Sequence, residues 1–184
     1  EEIDAKFIIV HMNTYGGLLD QADEVRYALL NTNIPTSVFI DNNAASAGSL
    51  ISLACDSIYM RKGGNIGAST VVNFDGTRAL DKYQSYMRKQ MRSTAESNGK
   101  ITKVINGDTV EVYRRNPDIA EGMVDERIVV EGLDDSTKII TLTTDDAVEW
   151  GYCEGTPDSL SQVFELLGAD NFDIVNVEPT SLDN

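Results

Sequence analysis

The start of the chain alternates two β-branched runs with one amphipathic helix, and this order limits the possible folds more than any other feature. Phe7 to Val10 is a continuous apolar run typical of a buried strand, and Ser37 to Ile40 is a second one. Between them, apolar side chains recur every three or four residues from Leu18 to about Leu30, as on one face of a helix. A helix that connects two buried strands makes them neighbours in a parallel sheet. The sequence therefore predicts an α/β layered fold with mainly parallel β-strands and flanking helices.

Local patterns predict further elements after this unit. They are a turn over 41–43, a helix over about 46–54, a strand over 57–60, a polar loop over 65–80, a helix over about 81–98, short helices over about 117–124, 144–150 and 160–167, and a strand near 174–175. Thr144 is expected to cap its helix. Asn106-Gly107 is flanked by alternating apolar residues and predicts an inserted β-hairpin over about 101–115. We expect one domain over residues 1–177, followed by a polar tail or linker over 178–184.

Charge and composition exclude several classes of function. The chain of 184 residues carries 30 acidic against 15 basic side chains, a net charge of −15, which argues against a nucleic-acid partner because phosphate binding needs clustered Lys and Arg. One histidine and two distant cysteines give no basis for a transition-metal site, and we expect no cofactor. Cys55 lies in an apolar helical run and is expected to be buried. No apolar run reaches the roughly 20 residues that span a membrane.

Two turns lie where buried strands give way to helices: residues 13–17, Asn-Thr-Tyr-Gly-Gly, and residues 43–49, Asn-Ala-Ala-Ser-Ala-Gly-Ser. In parallel sheets such turns meet at the carboxyl ends of the strands, where ligands bind, so we expect both turns in one cleft. Glycines let backbone amides approach a substrate closely, and exposed amides can hold an oxyanion. Taken alone, the glycines more often form only a tight turn, and a serine before a helix is most often an N-cap.

Five segments resemble, in the same order, the NfeD family of membrane-bound serine proteases, which are relatives of Clp protease and signal peptide peptidase A. The two turns are similar to the segments that supply the oxyanion-hole amides and the nucleophile, and residues 65–68, Asn-Ile-Gly-Ala, look like the next pocket-lining segment. Residues 116–125 and 142–152 are similar to later helices of the family. The likeness runs from about residue 7 to residue 155 and implies a ClpP/crotonase-like fold. Tyr15 departs from it because many relatives have proline there, and the 101–115 hairpin is an insertion relative to shorter members.

The resemblance implies a set of site residues. Ser46 is the nucleophile, the backbone amides of Gly17 and Ala47 form the oxyanion hole, and Gly16 shapes the turn. The pocket-lining residues for the substrate are Ile66, Gly67, Ala68 and Ser69.

A serine nucleophile needs a neighbouring base, and lysine is favoured over histidine here. The only histidine, His11, precedes the glycine turn, whereas Clp proteases use a histidine downstream of the serine. A triad would require His11 to reach the cleft, and we expect it instead to be a strand-end residue held by hydrogen bonds. The resemblance places the base on Lys82, at the start of the helix after the loop, where the helix field and an apolar pocket would favour the neutral amine. Lys89 and Lys62 are weaker candidates.

The implied activity is that of a serine endopeptidase that uses a Ser-Lys dyad and an acyl-enzyme. The family further implies apolar segments of stomatin-like membrane proteins as substrates, a homo-oligomer of two or more chains, and a position on the extracytoplasmic face of a membrane. In similar proteins another strand and helix precede the position of Glu1. We therefore expect the fold to be incomplete at its N-terminus or completed by a neighbour.

Two other functions stay open from the sequence. One is a catalytically inactive scaffold or binding domain of the same fold, in which Ser46 is a helix cap and Lys82 a surface group. The other is a crotonase-type acyl-CoA enzyme, which holds a thioester enolate with a similar pair of amides. Such an enzyme usually needs glutamates in the cleft and a place for the CoA phosphates, and the sequence indicates neither.

Overall fold

The computed structural model describes residues 4–134, 137–169, 171 and 173–177. Its elements are β1 (Ile8–Thr14), α1 (Leu19–Asn31), β2 (Thr36–Ala45), α2 (Ala47–Leu53), β3 (Ser57–Met60), β4 (Asn65–Gly67), α3 (Asp81–Ser97), β5 (Lys100–Ile105), β6 (Asp108–Tyr113), α4 (Pro117–Gly122), β7 (Thr141–Thr143), α5 (Thr144–Glu149) and α6 (Leu160–Leu166). None of the helices within these residues is long and apolar enough to cross a membrane.

β2 is the central strand of a five-stranded sheet. β1 pairs with it in parallel on one side. On the other side, β3 pairs with residues 37–40 and β4 with residues 43–45, both in parallel, while β7 joins β4 in the antiparallel direction. The predicted α/β architecture with mainly parallel strands is confirmed. Because β1 and β2 run in the same direction, the turns that follow them lie at the same edge of the sheet.

The hydrophobic core lies between one face of this sheet and helices α2, α3 and α4. Val38 and Ile40 of β2 belong to it, together with Leu50 and Leu53 of α2, Met87 and Met91 of α3, and Ile119 and Ala120 of α4. Phe39 faces the opposite side of the sheet, where the ring of His11 stacks on it at a centroid distance of 5.7 Å. β2 is therefore buried on both faces, which explains its unbroken apolar run.

The predicted hairpin is confirmed as β5 and β6. The two strands pair in the antiparallel direction from Lys100 with Tyr113 to Ile105 with Asp108. Asn106 and Gly107 have φ of 54° and 91°, as a two-residue hairpin turn of type I′ requires. Most hairpin side chains are exposed.

Two predictions for the sheet were wrong, and one strand was not predicted. Residues 65–67 were expected to belong to a polar loop, but they form β4 and pair with β2. Residues 41–43 were expected to form a turn, but β2 continues through them to Ala45. The reason is that residues 43–45 pair with β4, and Ala44 also pairs with Thr14 of β1. β7 was not predicted, since three residues at a sheet edge give too short a pattern to recognise.

Two further details differ from the predictions. Thr143, and not Thr144, caps α5 and forms a reciprocal capping box with Asp146, while the hydroxyl of Thr144 donates to the carbonyl of Arg61 at 2.7 Å. The predicted strand near 174–175 is irregular, and its side chains are exposed. The predicted tail over 178–184 lies outside the described residues.

Both cysteines are free and buried. Burial raises the pKa of the Cys55 thiol to about 12, and it also raises the pKa of Cys153. Cys55 therefore behaves as the small apolar residue that was predicted.

Arg115 connects the base of the hairpin to the core. Its side chain is fully buried, and the guanidinium donates to the carbonyl of Cys55 at 3.0 Å and to the side chain of Asn98, the C-cap of α3. It also pairs with the Glu154 carboxylate at 3.1 Å, which Arg114 contacts from the exposed side at 2.8 Å. Arg115 thus joins the end of α2, the end of α3 and the segment after α5.

Replacing Arg115 by leucine is expected to lower the free energy of unfolding by about 3–5 kcal/mol, because it leaves Glu154 and the Cys55 carbonyl without their buried partner. Arg114→Leu is the matched control, since Arg114 contacts the same carboxylate from a partly exposed position. It should cost no more than about 1 kcal/mol. Urea unfolding measures both variants, and equal losses would contradict the role assigned to Arg115.

Candidate active site

Ser46 lies at a sharp reversal between β2 and α2. Its backbone has φ 54° and ψ −116°, a conformation that costs a non-glycine residue about 1–3 kcal/mol and persists only when its surroundings hold it. Both backbone groups are held: the N–H donates to the carbonyl of Gly67 at 2.9 Å, and the C=O accepts from the amide of Ser49 at 3.0 Å and from its hydroxyl at 2.7 Å.

The Ser46 hydroxyl itself is free. It stands at the N-cap position of α2 but makes no capping hydrogen bond, and none of the described residues hydrogen-bonds to its Oγ. The side chain is half-buried. An N-cap role therefore does not explain this serine.

The Gly16-Gly17 turn packs directly against Ser46, as predicted for the two turns. Gly16 has φ 132°, and a Cβ placed on it would lie 3.0 Å from Cβ and 3.4 Å from Oγ of Ser46. Only glycine leaves room for this approach and adopts this φ without strain. Thr14 closes the turn, because its hydroxyl accepts from the N–H of Gly16 at 3.2 Å and donates to its carbonyl at 3.1 Å.

Two backbone amides beside Ser46 lack an acceptor in the part of the chain that the structure describes. There, neither the N–H of Gly17 nor that of Ala47 donates a hydrogen bond. The two residues are close, since a Cβ on Gly17 would lie 3.9 Å from that of Ala47. Free N–H groups next to a free hydroxyl are the arrangement that an oxyanion hole requires.

The segment over residues 66–69 holds the backbone of Ser46, because the carbonyl of Gly67 accepts from the Ser46 N–H. Gly67 and Ala68 have φ of 135° and 48°, and a Cβ on Gly67 would lie 2.6 Å from the carbonyl of Ile140. The side chains of Ile66 and Ser69 are fully buried, and Ile66 belongs to the hydrophobic core, whereas Ala68 is exposed. Of the four predicted pocket residues, Ala68 is thus the one with a side chain open to solvent.

Gln84 holds the loop between this segment and α3, and sequence reasoning missed it. Its buried amide accepts from the N–H of Val71 at 3.1 Å and donates to the carbonyls of Val71 at 2.7 Å and Ala79 at 3.2 Å. The sequence does contain a pattern that could have identified Gln84: it is a polar residue at helical spacing from Met87 and Met91, and so lies on the apolar face of α3.

Lys82 lies in the first turn of α3, as predicted. Its side chain is exposed, and Nζ lies 4.8 Å from the centroid of the Tyr83 ring. Among the described residues, no hydrogen bond joins Lys82 to Ser46.

The other candidate bases are engaged elsewhere or exposed. Lys89 forms an ion pair with Glu121 at 2.6 Å, and Nε2 of His11 lies 3.4 Å from Oδ2 of Asp41. Lys62 is exposed in the turn after β3. The predicted strand-end position of His11 was wrong, because β1 continues past it to Thr14.

The arrangement suits acyl transfer. It combines a free hydroxyl, a backbone held in a strained reversal and two free amides, all formed by strand ends and glycine turns. Across the described ranges, no group of three or more His, Cys, Asp or Glu side chains is placed to bind a metal ion.

The chain matches a family model and is similar to known proteins. Residues 1–177 match the family model described as NfeD1b, N-terminal domain. The chain is 32% identical over 169 residues to the membrane protein NfeD1b of Bacillus subtilis, covering 91% of this chain and 35% of that protein. It is 24% identical over 173 residues to the membrane-bound protease PH1510 of Pyrococcus horikoshii, covering 90% of this chain and 33% of that protein. The chain thus spans about a third of the length of these relatives.

Solved structures of the 1510-N membrane-bound stomatin-specific protease have a similar fold. One, a variant with a lysine replaced by alanine in complex with a substrate peptide, has a TM-score of 0.67 at 24% identity, covering 88% of this chain and 65% of that one. Another, with a serine replaced by alanine, has a TM-score of 0.66 at 24% identity and covers 88% and 69%. The predicted ClpP/crotonase-like fold is confirmed.

Gly16→Ala is expected to lower the free energy of unfolding by about 2–4 kcal/mol, because the new Cβ is strained at this φ and pushes against Ser46. Gly76→Ala is the control: Gly76 also has a positive φ, 81°, but no atom lies within 4 Å of its added Cβ. Chemical unfolding of both variants measures the difference. A loss in Gly16→Ala no larger than in Gly76→Ala would contradict the close packing of the turn on Ser46.

Proposed function

The chain belongs to the NfeD1b family, and on this premise we propose that it is a serine endopeptidase that cleaves peptide bonds through an acyl-enzyme on Ser46. The observation that carries the proposal is the free Ser46 hydroxyl beside the free amides of Gly17 and Ala47. The protease relatives support it, because their solved structures include one variant of a serine and one of a lysine.

The reaction follows from the placement of these groups. Ser46 Oγ attacks the carbonyl carbon of the scissile peptide while its proton passes to a base. The carbonyl oxygen becomes an oxyanion, which accepts hydrogen bonds from the N–H groups of Gly17 and Ala47; losing one such donor typically costs about 100- to 1,000-fold in rate. The tetrahedral intermediate then releases the amine, which takes the proton, and water hydrolyses the ester on Ser46.

We assign the role of base to Lys82. Its position in the first turn of α3 matches the family pattern, and a lysine-to-alanine variant of the protease relative binds a substrate peptide. The contact of Nζ with the Tyr83 ring is worth about 0.5–1 kcal/mol at an exposed site, so turning the side chain toward the cleft costs little. The bound peptide would then cover Lys82 and favour the neutral amine that accepts the serine proton.

The substrates we propose are apolar segments of membrane-associated, stomatin-like proteins. The protease relative is described as stomatin-specific. In this chain, Tyr15 and Leu18 flank the glycine turn with exposed fractions of 84% and 45%, so the rim of the cleft offers apolar surface to a peptide. We also propose that the full-length protein assembles into a homo-oligomer and exposes this domain on the extracytoplasmic face of a membrane.

The alternative is an inactive scaffold of the same fold. The observation that favours it is the exposed side chain of Lys82, whose Nζ contacts the Tyr83 ring. The free hydroxyl and the strained backbone of Ser46 favour the enzyme, because a scaffold has no need to maintain either.

Ser46→Ala is expected to abolish both labelling by a fluorophosphonate probe and cleavage of an apolar peptide, while Lys82→Ala lowers kcat by about 100- to 10,000-fold. Lys103→Ala, on the exposed hairpin, is the control and should keep full activity. Labelling that survives in Ser46→Ala would refute the protease. Full activity in Lys82→Ala would refute only the dyad.

A further inference from the structure

We propose that Ser49 and Ser69 form a buried hydroxyl pair that positions the nucleophile, a role that rests on the proposed function of Ser46. Both side chains are fully buried, and their Oγ atoms lie 2.5 Å apart. Neither residue can contact a substrate from this position. Any effect on the reaction must therefore pass through the backbone of Ser46.

Counting protons fixes the direction of the hydrogen bonds. Each hydroxyl carries one hydrogen. The Ser49 hydroxyl lies 2.7 Å from the carbonyl of Ser46, which can only accept, so Ser49 donates there. The proton between Ser49 and Ser69 then comes from Ser69, whose other acceptor, the carbonyl of Gly67, is farther away at 3.3 Å than the Ser49 hydroxyl at 2.5 Å. The two hydrogen bonds therefore run from Ser69 to Ser49 and from Ser49 to the carbonyl of Ser46, and the first bond polarises the second.

The Ser49–Ser69 pair links the two segments that hold the backbone N–H and C=O of Ser46. The Ser46 N–H is held by the carbonyl of Gly67, two residues before Ser69, and the Ser46 carbonyl is held by Ser49. Ser69 is itself fixed, because its N–H donates to the carbonyl of Met123 at 2.6 Å. The end of β4 and the first turn of α2 are thus linked across the residue that has the strained backbone.

The consequence concerns rate more than binding. Ser46 has φ 54°, and removing the hydroxyl that fixes its carbonyl lets the backbone relax and shifts Oγ relative to the amides of Gly17 and Ala47. A misplacement of about 1 Å can cost on the order of 100-fold in rate. The surface that would contact a peptide stays unchanged, so KM should not move.

Ser52 provides a matched control on the same helix. Its side chain is also fully buried, and its hydroxyl donates to the carbonyl of Gly48 at 2.7 Å, the same kind of bond as that of Ser49. Ser52→Ala and Ser49→Ala therefore each delete one buried hydroxyl and its bond to a carbonyl in α2 or its cap. The Ser52 hydroxyl makes no bond to Ser46.

The experiment compares Ser49→Ala, Ser69→Ala and Ser52→Ala with the wild type in the rate of fluorophosphonate labelling of Ser46, in kcat and KM for peptide cleavage, and in urea unfolding. We expect Ser49→Ala to lower the labelling rate and kcat by roughly 10- to 100-fold at unchanged KM. Ser69→Ala should show a smaller fall in the same direction. Ser52→Ala should label at the wild-type rate although its stability falls by a similar amount.

Labelling of Ser49→Ala at the rate of Ser52→Ala would overturn the positioning role and leave the protease intact. Absence of labelling in the wild type would instead refute the proposed function. A crystal structure of Ser49→Ala tests the positioning role without any activity. There we expect Ser46 to leave its positive φ, and an unchanged Ser46 backbone would overturn the proposal.

Discussion

The reversal at Ser46 is the constraint on which the site and its neighbouring strands depend. A serine at φ 54° stays in place only if its N–H and C=O both find fixed partners, and the N–H partner is the carbonyl at the end of β4. β4 reaches this position by pairing with the last residues of β2, and Gly67 fits there because it lacks a Cβ that would meet the carbonyl of Ile140. Two strands of three residues each, β4 and β7, therefore complete the sheet at the point where the chain is most strained.

The sequence predicted the parts of the fold and site that depend on local patterns. The strand, helix, strand order predicted that two turns would meet at one edge, and Gly16 does pack on Ser46. It did not predict that β2 continues through Asn42 and Asn43, because the pairing of Asn43 with Asn65 of β4 overrides the turn preference of asparagine. The partners of Gln84 and Ser49 were also hidden, since a buried hydrogen bond between distant residues leaves no periodic trace.

The nucleophile and the proposed base differ in how they are held. Ser46, Gly17 and Ala47 are placed by backbone alone, whereas Lys82 reaches any partner through a flexible side chain. The helix beneath Lys82 is itself fixed to the pocket side by Arg88, which pairs with the buried Asp125. Arg127 and Arg88 hold the pKa of Asp125 well below its usual range, so this carboxylate stays charged. Any movement of the proposed base toward Ser46 is therefore a rotation of the Lys82 side chain, while α3 stays in place.

The reaction rates of the two buried thiols, Cys55 and Cys153, can report local opening of the structure. Only a thiolate reacts quickly with a disulfide or maleimide reagent, and burial both shields the cysteines and raises the pKa of each. They lie on the two sides of the Arg115 network, since the Cys55 carbonyl accepts from Arg115 and Cys153 precedes its partner Glu154. The rate at which each sulfur is modified therefore reports how often the structure around that cysteine opens by local unfolding. Two sulfurs that react at one rate would show a single cooperative opening, and two rates would show that the halves open separately.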